Sequence, residues 1–198
     1  MNRVDIKKLV LLLLSLMVPF ASHADEKAVA RMMIYIQPQE YSNPIKLWEY
    51  YGDYWLLQGP FVEAAAKQVL GAEFGDVGMC SKDLSPSQTM VWLRPRLYYN
   101  PQLQVFYGSI KAVSYTADGK PIATYVGESE KQGFLDVLPD RTIKMVYQMA
   151  MQDLSSKMKA DSSFMHALDV PLSEKDVRTP CELISTLPNP WIKFNSFQ

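Results

Sequence analysis

The chain has 198 residues, of which 48% are hydrophobic and 21% are charged, and its formal net charge at pH 7 is −1. This hydrophobic fraction is ample for one folded core and excludes a generally disordered chain. Lysine and arginine are not clustered along the sequence, which argues against a nucleic-acid partner because binding to phosphates needs concentrated positive charge. We therefore expect one domain of about 100–150 residues with an appendage.

Residues 1–24 have the three parts of a secretory signal peptide. Basic residues precede the apolar run 9–20, which is too short to span a bilayer, and Ser22 and Ala24 supply the small side chains that signal peptidase requires. We predict cleavage after Ala24, a periplasmic location and no transmembrane segment in the mature chain. Asp25 stands where a lipoprotein has its cysteine, so we do not expect a lipid anchor.

Residues 25–159 are predicted to form an α+β domain. Its first half reads as a strand at 29–36, an aromatic stretch at 42–58 folded as a short helix and a loop, and a strand at 74–80. Between the last two lies a helix that begins near Pro60 and ends at Gly71, with apolar residues recurring every three or four positions.

The second half begins with the clearest strand signal. Strands at 89–99, 104–115 and 122–127 form an antiparallel meander, because Asp118-Gly119 is a strong hairpin turn. Gly108, inside the second strand, suggests a bulge.

A helix with one apolar face follows from Pro139, and its apolar stripe consists of Ile143, Val146, Tyr147, Ala150, Met151, Leu154 and Met158. The predicted fold is thus a single, mostly antiparallel sheet of about five strands with one face covered by two helices. Periodicity is lost after this helix, so residues 160–198 are expected to form an extended C-terminal arm packed on the domain.

The chain contains two cysteines, Cys80 and Cys181. In an oxidising compartment an even pair is expected to form a disulfide, which would fasten the arm to the region near Cys80. The alternative is two buried thiols that act as small hydrophobic groups. No set of metal ligands surrounds either cysteine, and we expect neither a metal site nor a cofactor.

The element order over residues 29–158 resembles small Gram-negative envelope auxiliary proteins, such as ABC-transport auxiliary components and lipopolysaccharide-assembly lipoproteins. The resemblance lies in a strand, a helix after a short glycine-containing segment, a meander whose turn reads Asp118-Gly119-Lys120-Pro121-Ile122, and a final amphipathic helix. It implies a binding or assembly role without catalytic residues. Those families begin with a lipidated cysteine, which this chain lacks, so anchoring to the outer membrane is not carried over.

The sequence gives little support for catalysis. Gly108-Ser109 lacks the Gly-x-Ser-x-Gly frame of a nucleophile elbow, and His166 is the single histidine that remains after cleavage. Glu128 and Glu130 could imitate the carboxylate pair of a glycosidase, but acids in this position are usually solvated. We therefore predict that the protein is not an enzyme.

The aromatic stretch is the strongest candidate for a binding site. Trp48, Tyr51, Tyr54 and Trp55 supply large rigid surfaces of the kind found at protein interfaces and sugar platforms, next to the helix entry at Gly59-Pro60. The alternative is that these rings belong to the core.

Three classes of function remain open from the sequence. The first is a non-catalytic periplasmic accessory protein that binds a partner in envelope assembly or transport, through a sheet edge or the aromatic stretch. The second is a small-ligand protein that binds lipid or glycan in an aromatic-lined pocket. The third is an enzyme of an unrecognised kind.

Overall fold

The computed structural model describes residues 30–49, 52–80, 86–170 and 180–187. The predicted signal peptide, residues 1–24, lies outside these ranges. Within them, no helix combines the length and the apolar character needed to cross a bilayer.

The described residues form a five-stranded sheet, a separate two-stranded hairpin and several helices. In chain order these elements are β1 (Met32–Ile36), α1 (Gln39–Ser42), β2 (Ile45–Glu49), β3 (Gly52–Leu56), α2 (Gln58–Phe74), β4 (Val77–Met79), β5 (Thr89–Asn100), β6 (Val105–Thr116), β7 (Pro121–Gln132), α3 (Pro139–Ala160), α4 (Ser162–Asp169) and a 3-10 helix (Pro180–Thr186).

The five-stranded sheet has the order β4-β1-β5-β6-β7, and the predicted α+β class is confirmed. The sheet is mixed rather than antiparallel throughout, because β1 runs parallel to both β4 and β5, whereas the longer strands β5, β6 and β7 pair antiparallel. In the register of β1 with β5, Met32 lies opposite Thr89 and Ile36 opposite Leu93. Such pairing between strands far apart in sequence leaves no local turn signal, which is why the sequence did not reveal it.

Helices α2 and α3 pack on one face of the sheet and on each other. The apolar stripe predicted for α3 is fully buried in that layer: Ile143, Val146, Tyr147, Ala150, Met151, Leu154 and Met158. Opposite it, β6 contributes the buried side chains of alternate residues, including Phe106 and Ile110. Burial of one side chain in two is what the period of a strand produces.

Two strand glycines allow α3 to lie directly on the sheet. A Cβ atom at Gly108 would lie 2.3 Å from Cγ1 of Val146, and one at Gly127 would lie 2.1 Å from the carbonyl oxygen of Ala150. The bulge predicted at Gly108 is wrong, because the register of β6 runs through this residue without a shift. The glycine is needed there for close approach of the helix, not for an extra residue in the strand.

The outer edge of β7 is partly covered by α3. Lys157 Nζ donates a hydrogen bond to the carbonyl oxygen of Val126 at 2.7 Å, and the backbone N–H of Glu128 donates to Asp153 Oδ2 at 2.9 Å. Lys157 and Asp153 also form an ion pair at 2.7 Å. One carbonyl and one N–H that face away from β6 are therefore already bonded.

The segment after α3 is not an extended arm at its start. Residues 162–169 form α4, whose Phe164 ring packs edge-on against Phe74 at 5.6 Å between centroids and against Tyr125 at 6.1 Å. Asp161 caps this helix by accepting hydrogen bonds from the backbone N–H groups of residues 163 and 164. The helix has eight residues, which is too short for its periodicity to stand out in the sequence.

The structure joins Cys80 and Cys181 in a disulfide, with their Cα atoms 5.5 Å apart. The bond attaches the 3-10 helix to the end of β4, and this helix also contacts β1 and β5. Leu183 of the same helix packs against the turn between β6 and β7, where Gly119 adopts a φ of 81°. The 3-10 helix is thus fixed covalently at the edge of the sheet formed by β4.

Candidate functional site

The aromatic stretch folds as α1 followed by a hairpin of β2 and β3, so the predicted loop is wrong. In the hairpin register, Lys46 lies opposite Trp55 and Trp48 lies opposite Asp53. These four side chains share the outer face because side chains alternate along a strand. Tyr51 lies outside the described residues.

The inner face of the hairpin fastens it to the domain. Leu47 and Leu56 are buried in the core, and Tyr54 packs against it. Tyr54 Oη donates a hydrogen bond to Asp140 Oδ1 at 2.5 Å, in the first turn of α3. Partial burial and this bond to a carboxylate raise the pKa of Tyr54 to about 12. Tyr54 therefore holds the hairpin against α3.

The outer face presents both tryptophans to solvent. Trp48 is 52% exposed and Trp55 is 59% exposed. Lys46 forms an ion pair with Asp53 at 2.8 Å, and its ammonium lies 6.0 Å from the centroid of the Trp55 ring. These contacts order the outer face, and the two indole rings supply most of its apolar area.

A second group of exposed apolar side chains lies on the two neighbouring connections. The connection between β7 and α3 contributes Phe134, Val137 and Leu138, and the turn between β5 and β6 contributes Leu103. The backbone N–H of Gly133 donates to the carbonyl of Gln104 at 2.8 Å, which holds the two connections together.

Tyr99 connects this second group with the tip of the hairpin. Its hydroxyl donates to the carbonyl oxygen of Gly133 at 3.4 Å. Its pKa is raised, first by burial and then by the charge of Glu49 at the end of β2, with Asp136 of the connection acting in the same direction. The bond from Tyr54 to Asp140 places the hairpin beside the connection between β7 and α3, which is itself joined to the turn between β5 and β6. We name as the apolar end Trp48, Trp55, Leu103, Phe134, Val137 and Leu138.

Two residues at this end have backbone conformations that favour glycine. Leu138 has a φ of 48° and Gln104 a φ of 56°, and they are the non-glycine residues with positive φ in the described part of the chain. A left-handed conformation costs a bulky residue about 1 kcal/mol or more and is often retained at functional sites. Leu138 is also 71% exposed and occupies the N-cap of α3 without a side-chain cap.

A buried polar chain lies at the start of α2, where β3 of the hairpin leads into that helix. The hydroxyl of Tyr147 donates to Gln58 Oε1 at 2.6 Å, and Gln58 Nε2 donates to Glu40 Oε2 at 3.1 Å. Burial raises the pKa of the Glu40 carboxyl, although the hydrogen bond from Gln58 and the charge of Arg94 act against that rise. The chain links α1, α2 and α3.

Glu40→Gln is expected to remove a pH dependence of stability. Because the folded-state pKa of Glu40 lies above its unfolded value, the folded state holds this proton more tightly. The free energy of unfolding should therefore fall as the pH rises from about 4.5 through the raised pKa. Glutamine keeps the accepting oxygen but carries no charge, so the variant should exceed the wild type in stability at pH 7 and match it more closely at pH 4.5.

Urea unfolding at a series of pH values measures this difference. Glu130→Gln, at an exposed position on β7, is the matched control and should leave the pH profile unchanged. If the Glu40 variant and the wild type have the same profile, Glu40 is not buried as described.

Of the residues weighed for catalysis, Ser109 lies opposite Glu128 in the pairing of β6 with β7, whereas His166 lies on a different element. His166 is exposed on α4, Ser109 lies in β6, and Glu128 and Glu130 are exposed on β7. No group of three or more His, Cys, Asp or Glu side chains in the described ranges is arranged to hold a metal ion.

Sequence reasoning missed the part of the apolar end outside the hairpin. A signal was present, because the segment from Phe134 to Leu138 has four apolar residues around Asp136 in a connection between a strand and a helix. Only Leu135 of these is buried. Such a segment can also pack as the staple of the following helix, so its exposure could not be read from the sequence.

Comparison with known proteins identifies no family for the chain. No family model matches it, and no curated protein matches it in sequence. Solved structures do match in part.

A DUF330 protein from Xanthomonas campestris has 10% identity and a TM-score of 0.40, with 67% of this chain and 85% of that chain covered. The PelC dodecamer from Paraburkholderia phytofirmans has 10% identity and a TM-score of 0.38, with 64% of this chain and 90% of that chain covered. A minor lipoprotein from Acinetobacter baumannii has 13% identity and a TM-score of 0.34, with 70% of this chain and 96% of that chain covered. All three TM-scores lie below 0.5, and the proposals that follow rest on the residues of this chain alone.

Proposed function

We propose that the protein is a non-catalytic accessory protein of the periplasm that binds an envelope protein partner, in envelope assembly or transport, through the apolar end. The observation that carries this proposal is the exposure of two tryptophans on the outer face of the hairpin, beside connections that expose four further large apolar side chains. Exposed apolar patches of this kind are typical of protein interfaces, and tryptophan is enriched among the residues that dominate binding energy.

The covalent chemistry of the chain supports a location outside the cytoplasm. Cys80 and Cys181 form a disulfide, and such bonds persist in oxidising compartments such as the bacterial periplasm. The predicted signal peptide points to the same compartment.

The backbone of the apolar end supports a binding role over a structural one. Leu138 is exposed and has an unfavourable φ, and asparagine or glycine would adopt this φ at a lower conformational cost. A protein under selection for stability alone has no reason to hold an exposed leucine in that conformation. Binding to an apolar partner surface would explain the residue.

The arrangement of the hairpin favours a protein partner over a small lipid or glycan. A pocket for a small ligand would enclose Trp48 and Trp55 together with apolar residues of the helices. Both rings instead lie on the outer face of the hairpin, whose inner face is the one that contacts the core. An open face of this kind suits the flat surface of another protein.

Trp48→Ser with Trp55→Ser is expected to weaken binding of the partner while leaving the fold intact. Both side chains are more than half exposed, so the double variant should lose less than about 1 kcal/mol of unfolding free energy. Loss of two interface tryptophans should weaken binding by at least about 2 kcal/mol, which is roughly 30-fold.

The partner is first captured by a photo-crosslinking residue at position 137 in the intact envelope, then purified, and its dissociation constant is measured. Val170→Ser removes an exposed apolar residue after α4, away from the apolar end, and is the matched control that should bind as the wild type does. Unchanged affinity of the tryptophan variant would contradict the proposal. A loss of about 3–5 kcal/mol in the unfolding free energy of the double variant would instead indicate that the tryptophans are part of the core.

A further inference from the structure

The sheet has a second face that α2 and α3 do not cover. On β6 the buried residues that face α3 alternate with residues that point the other way, and Ser109 and Lys111 belong to this second set. The register places Lys111 opposite Arg94 and Ser109 opposite Arg96 on β5. Three cationic side chains from two strands therefore lie together on this face, and we name Arg94, Arg96 and Lys111 the basic cluster. The face is buried further along β5 at Met90 and Trp92, and it is open at Arg96 and Lys111.

The basic cluster places like charges next to each other. Directly opposite residues on antiparallel strands have Cβ atoms about 5 Å apart, so Arg94 and Lys111 repel each other. Neither Arg96 nor Lys111 belongs to an ion pair within the described part of the chain. The Arg94 guanidinium lies 5.1 Å from the centroid of the Trp92 ring, which holds it in place. Arg96 and Lys111 are therefore available to bind an acidic group of a ligand.

A pair of aromatic rings adjoins the basic cluster. Tyr98 lies opposite Tyr107 in the register, two residues beyond Arg96 along β5. The two rings are stacked, with centroids 6.1 Å apart and planes inclined by 28°, and Tyr98 is 58% exposed. An exposed ring beside arginine provides a surface on which the apolar face of a sugar can stack.

Carboxylates border the same face on its other side. Glu128 lies opposite Ser109 and Glu130 lies opposite Tyr107 on β7, and both glutamates are exposed. A ligand that spans the face would therefore meet cations on β5 and β6, a ring on β5 and hydrogen-bond acceptors on β7. It needs an acidic group, a ring face and hydroxyl donors.

We propose that this open face binds an acidic saccharide. A carboxylate of the sugar accepts hydrogen bonds from Arg96 and Lys111, the ring stacks on Tyr98, and hydroxyl groups donate to Glu128 and Glu130. None of these residues belongs to the apolar end, and the ligand class goes beyond the proposed function.

The glutamates distinguish an acidic saccharide from a nucleic acid. A nucleic acid carries a phosphate on every nucleotide, and a strand laid across the face would bring some of these phosphates against Glu128 and Glu130. An acidic saccharide carries many hydroxyls for each acidic group, so its neutral donors can meet the same carboxylates. The mixed charge of the face therefore favours the saccharide.

Calorimetric titration of the purified protein with a galacturonate hexamer tests the proposal. Arg96→Gln with Lys111→Gln should raise the dissociation constant at least about ten-fold, because charge-assisted hydrogen bonds are lost. Arg141→Gln with Lys144→Gln removes the same charge from exposed positions on α3, and this control should change the constant less than about two-fold. Tyr98→Ala should weaken binding without any change in charge, whereas Tyr98→Phe should retain it.

A check of folding accompanies the titration. Arg96 and Lys111 are exposed and form no ion pair with a described residue, so the double variant should lose less than about 1 kcal/mol of unfolding free energy. Affinity of the wild type should fall with added salt.

Several results would overturn the proposal. The first is that the galacturonate hexamer does not bind. The second is that neutral maltohexaose binds as tightly as the galacturonate hexamer, or that a thymidine hexanucleotide binds as tightly or more tightly. The third is that the cluster variant and its control bind the galacturonate hexamer with equal affinity. The apolar end plays no part in these measurements, so their outcome does not depend on the proposed partner.

Discussion

Gly127→Ala is expected to destabilise the protein by about 3 kcal/mol, which is at the upper end for an added methyl group in a packed core. The new Cβ would lie 2.1 Å from the carbonyl oxygen of Ala150 and 2.7 Å from Cβ of Leu154. The first of these atoms belongs to the backbone of α3, so no side chain can move aside. The helix must shift away from β7, and its buried stripe loses contact with the sheet. Urea unfolding followed by circular dichroism measures the loss.

Gly71→Ala is the matched control for this substitution. Gly71 lies inside α2, and a Cβ atom there would meet nothing within 4 Å. Alanine is the better helix former, so this variant should gain up to about 1 kcal/mol. If Gly127→Ala is as stable as the wild type, α3 does not approach β7 as closely as described.

Removal of the disulfide is expected to produce the other large effect. The bond joins residues separated by 101 positions in sequence. In the chain-entropy model, a loop of this length is worth up to about 4.7 kcal/mol, and measured values are usually smaller. Cys80→Ala with Cys181→Ala should therefore lose about 2–4 kcal/mol of unfolding free energy. Loss should begin locally, with faster hydrogen exchange in the 3-10 helix, because that helix is held to β4 by the bond.

The wild type in the presence of a reductant is the control for the double variant. Both forms lack the cross-link and should unfold at the same urea concentration, below that of the oxidised wild type. Equal stability of the variant and the oxidised protein would contradict a structural role for the bond. Mass spectrometry after thiol alkylation verifies the oxidation state of each sample.

The helices and the meander could be predicted because their signals are local. The stripe from Ile143 to Met158 repeats with the period of a helix, and Asp118-Gly119 marks a tight turn between two strands. Each of these signals depends on residues that are close in sequence, so no knowledge of the tertiary structure is needed.

The parallel strands and the hairpin could not be predicted in the same way. The partner of β1 in the sheet, β5, begins at Thr89, and no local pattern records that contact. The hairpin does alternate, with Leu47 inside and Lys46 and Trp48 outside. Aromatic residues on both faces hide this alternation, because a ring counts as apolar wherever it points.

The candidate sites were predicted only as far as they are contiguous in sequence. Trp48, Tyr51, Tyr54 and Trp55 were candidate binding residues because they belong to one aromatic segment, with burial in the core as the alternative. Of these, Trp48 and Trp55 are more than half exposed, whereas Tyr54 packs against the core. Leu103 and Leu138 join the two tryptophans through the fold, and Arg96 and Lys111 come together only through the register of β5 with β6. The absence of clustered basic residues along the sequence therefore did not exclude a basic cluster in space.

The central position of β1 has a consequence for the order in which the chain folds. β1 is the first strand of the described chain, yet in the sheet it lies between β4 and β5. A chain that emerges from a ribosome or an export channel with its N-terminus first holds the apolar strand Met32–Ile36 without its β5 partner until Thr89–Leu93 has followed. The centre of the sheet then closes late, because long-range strand pairing is slow. Such a chain stays unfolded during passage through a narrow channel, and it needs protection of β1 from other chains during that interval.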